Sequence, residues 1–170
     1  TMKKSILFLG MLFFANNAWP LDVYLDYQTE FYDLFDPGEE WDAVDSDQVK
    51  TRISTLVSQD LSSYGITLTA NQGEAEITVE IGGNDVNGFG VAHPFIGAFF
   101  YDENPHAHVF PRTFASHAEW QGASASFERI GQAMANTICH EIGHLLNLWH
   151  AYQFSCYDPY DSNALHSPYY

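Results

Sequence analysis

The sequence is poor in basic residues, poor in cysteine, and free of any apolar run long enough to cross a membrane. Its 170 residues include 6 lysines and arginines against 22 aspartates and glutamates, which gives a formal net charge of -16. A field of this sign repels nucleic acid and anionic membrane surfaces and favours cationic partners. We therefore expect no nucleic-acid partner, with improved solubility as the alternative role of the charge.

The clearest apolar run extends from Ile6 to Ala15 and is about half of the roughly 20 residues that a spanning helix needs. Two lysines precede it, and Ala18 follows as a small residue where a signal peptidase could cut. This pattern predicts a secretory signal peptide over residues 1–18. We expect a secreted protein, extracellular or periplasmic, that has no membrane contact after cleavage.

Cysteine occurs only at positions 139 and 156. An even count in an exported chain points to a disulfide, here between Cys139 and Cys156. The loop it would close is short, so the chain-entropy relation gives a contribution of about 3 kcal/mol. Two free thiols, or metal ligation, are the alternatives.

Residues 19–170 are long enough for one domain with a core and too short for two comfortable ones. The order of the predicted elements indicates that this domain is α+β with a mixed sheet, and we expect it to act as a monomer. The predicted elements are strands at 21–27, 66–70 and 75–83, a helix from about 46 to 64 capped by Gly65, a long loop carrying one strand at 84–107, and an edge strand at 108–114. The last is placed at an edge because Pro111 cannot donate to a ladder from the middle of a sheet.

A second amphipathic helix is predicted from about Ser124 or Ser126 through Ile142, and it carries two histidines four residues apart. His140 and His144 would lie on one helix face, where both imidazoles can reach one Zn²⁺ at about 2.0 to 2.1 Å. Glu141 lies about 100° further round the helix, near enough to touch a water beside the metal. The spacing predicts a zinc site.

A third histidine, His150, follows six residues after His144. On a continuous helix it would face away from the metal, so it can be a ligand only if the helix ends between the two. Asn147 favours such an end, because asparagine readily takes the left-handed conformation that closes a helix. The alternative interpretation is a continuous core helix in which His150 is an ordinary buried histidine.

Residues 140–150, HEIGHLLNLWH, resemble the metzincin metalloprotease signature HExxHxxGxxH, with Asn147 where the family usually has Gly. Four further segments are similar to the matrixin branch of that family: WPLDVYLDY, GVAHPF, AHVF and ALHSPYY. Together they cover most of residues 19–170. The resemblance implies a metzincin-like zincin fold, with a mixed twisted sheet, a backing helix, an active-site helix and a small C-terminal subdomain.

The function that follows is a secreted zinc endopeptidase acting on a protein or peptide substrate in extended conformation. His140, His144 and His150 would be the metal ligands, with water in the open fourth position and Glu141 as the general base. The substrate would pair with the edge strand near 108–114. One alternative is a catalytically inactive, zinc-binding metzincin-like binding protein. Another is a structural zinc protein in which His166 or a cysteine fills the fourth position.

The resemblance also assigns less specific positions. His166 stands where the family has the methionine of its Met-turn, and Pro168 and Tyr170 match the wall of the S1′ pocket beside the zinc. His93 and His108 match two of the four ligands of the matrixin structural zinc site. Because the other two ligands have no counterpart, surface histidines are the favoured interpretation and a second metal is the alternative. Whether the acidic loops bind calcium stays open at this point.

The predicted disulfide can be tested directly. Thiol titration of the unfolded, unreduced protein should detect no free thiol, because Cys139 and Cys156 are bonded to each other. Two reactive thiols per chain would contradict this pairing.

Overall fold

The computed structural model describes residues 21–83, 88–93, 105–117, 120–146 and 148; at His93 and Ala123 only the backbone is described. The predicted signal peptide lies outside these residues. So do the C-terminal positions singled out above, which are Asn147, His150, Cys156, His166, Pro168 and Tyr170. What was predicted for them stays a prediction.

Five strands form one sheet within the described residues, in the order β2-β1-β3-β5-β4. The strands are β1 (Leu21–Tyr27), β2 (Ile66–Leu68), β3 (Ile77–Ile81), β4 (Gly90–His93) and β5 (His106–Val109). The β4–β5 pair is antiparallel and the other three pairs are parallel. The predicted α+β class and mixed sheet are therefore confirmed.

Four helices accompany the sheet in the described part of the chain: α1 (Thr29–Asp33), α2 (Ser46–Ser62), α3 (Pro111–Ala115) and α4 (Phe127–Leu145). Each long helix begins at a side-chain cap. The Asp45 carboxylate accepts from the Asp47 N–H at 2.9 Å, and the Ser126 hydroxyl accepts from the Arg129 N–H at 3.3 Å. Both long helices were predicted to within a few residues. None of the described helices is long and apolar enough to span a bilayer.

The two long helices cover the apolar face of the sheet. Alternate residues of β3, which are Ile77, Val79 and Ile81, are buried on that face, whereas Glu80 points to the other. Helix α4 contacts α2 along its length and also contacts β4 and β5. It therefore lies in the core next to the β4 edge of the sheet, and this placement positions the site.

The predicted edge strand at 108–114 is wrong. Strand β5 ends at Val109 and lies between β3 and β4, so it is an interior strand. Pro111 belongs to no strand because it begins α3. The N–H groups of a first helical turn have no intrahelical acceptor, so a proline there costs no hydrogen bond. The edge near the predicted site is β4, which falls within the span predicted as a loop with one strand.

Candidate metal centre

The side chains of His140 and His144 meet on one face of α4. Their Nε2 atoms are 3.0 Å apart, and the two rings are nearly perpendicular with centroids separated by 4.6 Å. Two nitrogen ligands at 2.0 to 2.1 Å in a tetrahedral zinc site would be about 3.3 Å apart. The pair therefore fits two ligands of one zinc ion after a shift of a few tenths of an ångström.

A backbone hydrogen bond orients the second histidine. The Nδ1 of His144 lies 2.8 Å from the carbonyl oxygen of Leu148. Since a carbonyl can only accept, Nδ1 carries the proton and donates it, which leaves Nε2 of the neutral ring unprotonated. Metal-binding histidines commonly have this partner, because it fixes both the tautomer and the ring orientation.

This bond exists because the chain turns back at the end of α4. The helix ends at Leu145, and the Leu148 N–H donates to the Gly143 carbonyl at 2.9 Å, which is the long bond of a Schellman motif. The predicted end of the helix between His144 and His150 is thus confirmed. The left-handed conformation of Asn147 and ligation by His150 remain predictions, since both residues lie outside the described part.

Glu141 lies in the core beside the edge strand. Its side chain is only 6 % exposed, and a Cβ added to Gly90 of β4 would lie 2.9 Å from both its Cγ and its Oε1. Burial raises the pKa of the Glu141 carboxyl to about 7. A carboxyl in this position lies next to the His140–His144 pair and next to the sheet edge.

The edge of β4 that faces away from β5 is open among the described strands. The Phe110 N–H donates to the Phe89 carbonyl at 2.8 Å, so this pair of residues is hydrogen-bonded. Hydrogen-bonded and non-bonded pairs alternate along an antiparallel ladder. Gly90 and Ala92 therefore direct their backbone N–H and C=O groups outward, while Val91 directs its groups to β5.

The second predicted metal position lies on the opposite face of the sheet. His108 Nδ1 is 3.2 Å from a carboxylate oxygen of Glu80, and the His106 ring lies 5.3 Å from the His108 ring, centroid to centroid. The register places His93 opposite His106, although only the backbone of His93 is described. His106 and Glu80 were not singled out from the sequence, because their proximity depends on the strand order.

No group of three or more histidine, cysteine, aspartate or glutamate side chains that could hold a metal occurs within the described ranges. Of the three ligands predicted for the zinc site, the described ranges include His140 and His144 but not His150. A second zinc ion remains the alternative to surface histidines, and calcium binding by the acidic loops stays open.

Cys139 lies on a different face of α4 from the two histidines. It is buried, and it lines a cavity of about 110 Å³ whose other walls include Tyr64, Ile66 and Leu148. Burial raises the pKa of the Cys139 thiol above its ordinary value. In the described part of the chain this thiol forms no disulfide, and its predicted partner Cys156 lies outside that part. The disulfide stays a prediction.

Comparison of the chain with protein-family models, with curated proteins and with solved structures finds no match. The metzincin resemblance therefore depends on the sequence segments quoted above.

The desolvation of Glu141 gives a pH prediction for the metal-free protein. Below about pH 4.5 the carboxyl is protonated in both the folded and the unfolded state, and it contributes nothing. Between pH 4.5 and 7 the unfolded state releases this proton first, so the free energy of unfolding falls as pH rises. Glu141→Gln removes that loss, and its stability advantage over the parent should grow by up to about 3 kcal/mol between pH 4.5 and 8.

Urea denaturation in the presence of a chelator measures this difference. Glu39→Gln is the matched control, because Glu39 is exposed and its substitution should change stability equally at both pH values. An advantage of Glu141→Gln that does not vary with pH would mean that Glu141 is well solvated in the folded state.

Proposed function

We propose that this protein is a secreted, zinc-dependent endopeptidase with a metzincin-like zincin fold. The observation that carries the proposal is the 3.0 Å approach of the His140 and His144 Nε2 atoms beside a buried Glu141. His140 and Glu141 are buried, whereas His144 is partly exposed, and burying such polar groups costs free energy unless they are satisfied there. Zinc would bind the two imidazoles, and a reacting water would contact the Glu141 carboxyl. All three side chains would then have a role that an ordinary structural helix does not give them.

His140 and His144 would hold the zinc ion together with His150, the third ligand that the sequence predicts. When bound, zinc supplies a Lewis acid that polarises a scissile carbonyl and lowers the pKa of a water to about 7. The Leu148 carbonyl keeps the His144 ring in the tautomer that this binding requires. Three protein ligands leave a fourth position open, as catalytic rather than structural sites do.

Glu141 would act as the general base and then as the general acid. It takes a proton from the attacking water and delivers that proton to the amine leaving group. Its neighbours favour this role, because the carboxyl lies one residue along α4 from His140 and against β4. A site that only stores zinc has no use for a carboxyl in this position.

An extended peptide would pair with the open edge of β4, and this pairing replaces the one proposed from sequence at 108–114. The outward N–H and C=O groups of Gly90 and Ala92 supply the backbone hydrogen bonds. Such bonds do not select by sequence. Selection would come from the S1′ pocket, whose wall is predicted to include Pro168 and Tyr170.

Substitution of Glu141 tests the mechanism. Glu141→Ala should keep its zinc, because the histidine ligands are untouched, while turnover of an unfolded protein or peptide falls by at least about 10²-fold. His144→Ala should lose both zinc and activity, because it removes one of the ligands. Glu128→Ala, an exposed position on the same helix, is the matched control and should retain both. Zinc content and initial rates of cleavage are the measurements.

Two results would contradict the proposal. If the mature, zinc-loaded protein cleaves no peptide, the inactive binding protein becomes the better hypothesis. If Glu141→Ala cleaves as fast as the parent, Glu141 is not the general base.

A further inference from the structure

Gly90 is a point of close approach between the sheet edge and α4. A Cβ built at this position would lie 2.9 Å from three atoms of α4: Cγ and Oε1 of Glu141, and Cγ2 of Thr137. Thr137 and Glu141 are four residues apart, so both side chains rise from the same face of the helix toward β4. Real Cβ atoms essentially never approach other heavy atoms this closely. Any side chain at position 90 would therefore displace Glu141, Thr137 or the strand.

The backbone conformation of Gly90 does not require glycine. The described glycines with positive φ are Gly38, Gly65, Gly83 and Gly122, and Gly90 is not among them. An alanine could therefore adopt the same backbone at position 90 without torsional strain. What glycine supplies there is space, and Glu141 takes most of that space.

The same residue also faces the proposed substrate. The N–H and C=O of Gly90 point to the open side of β4, where an extended peptide would pair. One residue thus contacts the carboxyl on its core side and presents backbone groups to the peptide at the strand edge. The size of the side chain at position 90 therefore sets the distance between the Glu141 carboxyl and a peptide paired with β4.

We propose that Gly90 is a positioning residue, whose missing side chain allows the Glu141 carboxylate to reach a peptide paired with β4. This inference rests on the proposed function for its catalytic consequence. The contact itself does not depend on that function, so the two can fail separately.

Gly90→Ala tests the positioning role. The variant keeps both backbone groups of residue 90, so the KM for a peptide should stay within about twofold and zinc content should be unchanged. Its kcat should fall by roughly 10- to 100-fold, because displacing a catalytic group by about 1 Å can cost a factor near 10². Gly73→Ala, in the turn between β2 and β3, is the matched control, since a Cβ there comes no closer than 3.5 Å to a neighbouring atom.

A second substitution separates positioning from general damage. Thr137→Ser removes the Cγ2 methyl that shares the space with Glu141 and keeps the hydroxyl that donates to the Ala133 carbonyl. In Gly90→Ala/Thr137→Ser the new methyl can move toward residue 137, so Glu141 returns and kcat should recover several-fold. A kcat of Gly90→Ala within twofold of the parent would overturn the proposal, as would a loss that Thr137→Ser does not restore.

A stability measurement keeps the contact testable if Gly90→Ala folds poorly or if the parent has no peptidase activity. In metal-free protein, Gly90→Ala should lower Tm by several degrees in the parent, and by clearly less in a Glu141→Ala background, where two of the three close atoms are absent. Recovery of folding in the double variant supports the contact. An equal loss in both backgrounds would show that Glu141 does not occupy the space beside Gly90, whatever the protein's activity.

Discussion

The structure depends on the burial of α4. Every residue of this helix from Ala133 to Gly143 is buried, because α2 covers one side of the helix and the β4 edge of the sheet covers another. The helix is therefore held as part of the core rather than as a surface element. His140 and Glu141 lie in this buried stretch and therefore have few rotamers available, whereas the partly exposed His144 is oriented by its hydrogen bond to the Leu148 carbonyl. The core thus fixes His140 and Glu141 without a separate scaffold.

Two glycines allow close contacts of α4 with its neighbours. A Cβ at Gly131 would lie 2.6 Å from the Arg52 side chain, so this glycine lets α2 approach. Gly90 lets the strand edge approach Glu141. At the end of α4 the Gly143 carbonyl accepts from the Leu148 N–H, a backbone bond that does not require glycine. The last contact brings the Leu148 carbonyl to His144. The same residues thus determine both the packing of α4 and the geometry of the candidate site. A substitution that changes the packing should therefore also move the candidate side chains.

Sequence periodicity was sufficient to predict the long helices, because the apolar spacing and the caps that specify a helix lie within one segment. The helices beginning at Ser46 and Phe127 have apolar faces and side-chain caps, and the spacing of His140 and His144 places them on one face whatever the fold. Strand order was not accessible in this way, because the pairing of β5 with both β3 and β4 depends on contacts between distant segments. Pro111 was misassigned for a local reason, since a proline fits both an edge strand and the first turn of a helix. The His144–Leu148 bond also needed the observed chain reversal.

The central claim is that His140 and His144 of α4, together with the predicted ligand His150, hold a single zinc ion with an open position. X-ray absorption at the zinc edge of the purified, zinc-loaded mature protein tests it most directly. The account predicts about one zinc per chain, with three imidazole nitrogens and one further oxygen at about 2.0 to 2.2 Å. A sulfur ligand at about 2.3 Å, which would implicate a cysteine, or a fourth imidazole, would contradict the claim and indicate a closed structural site.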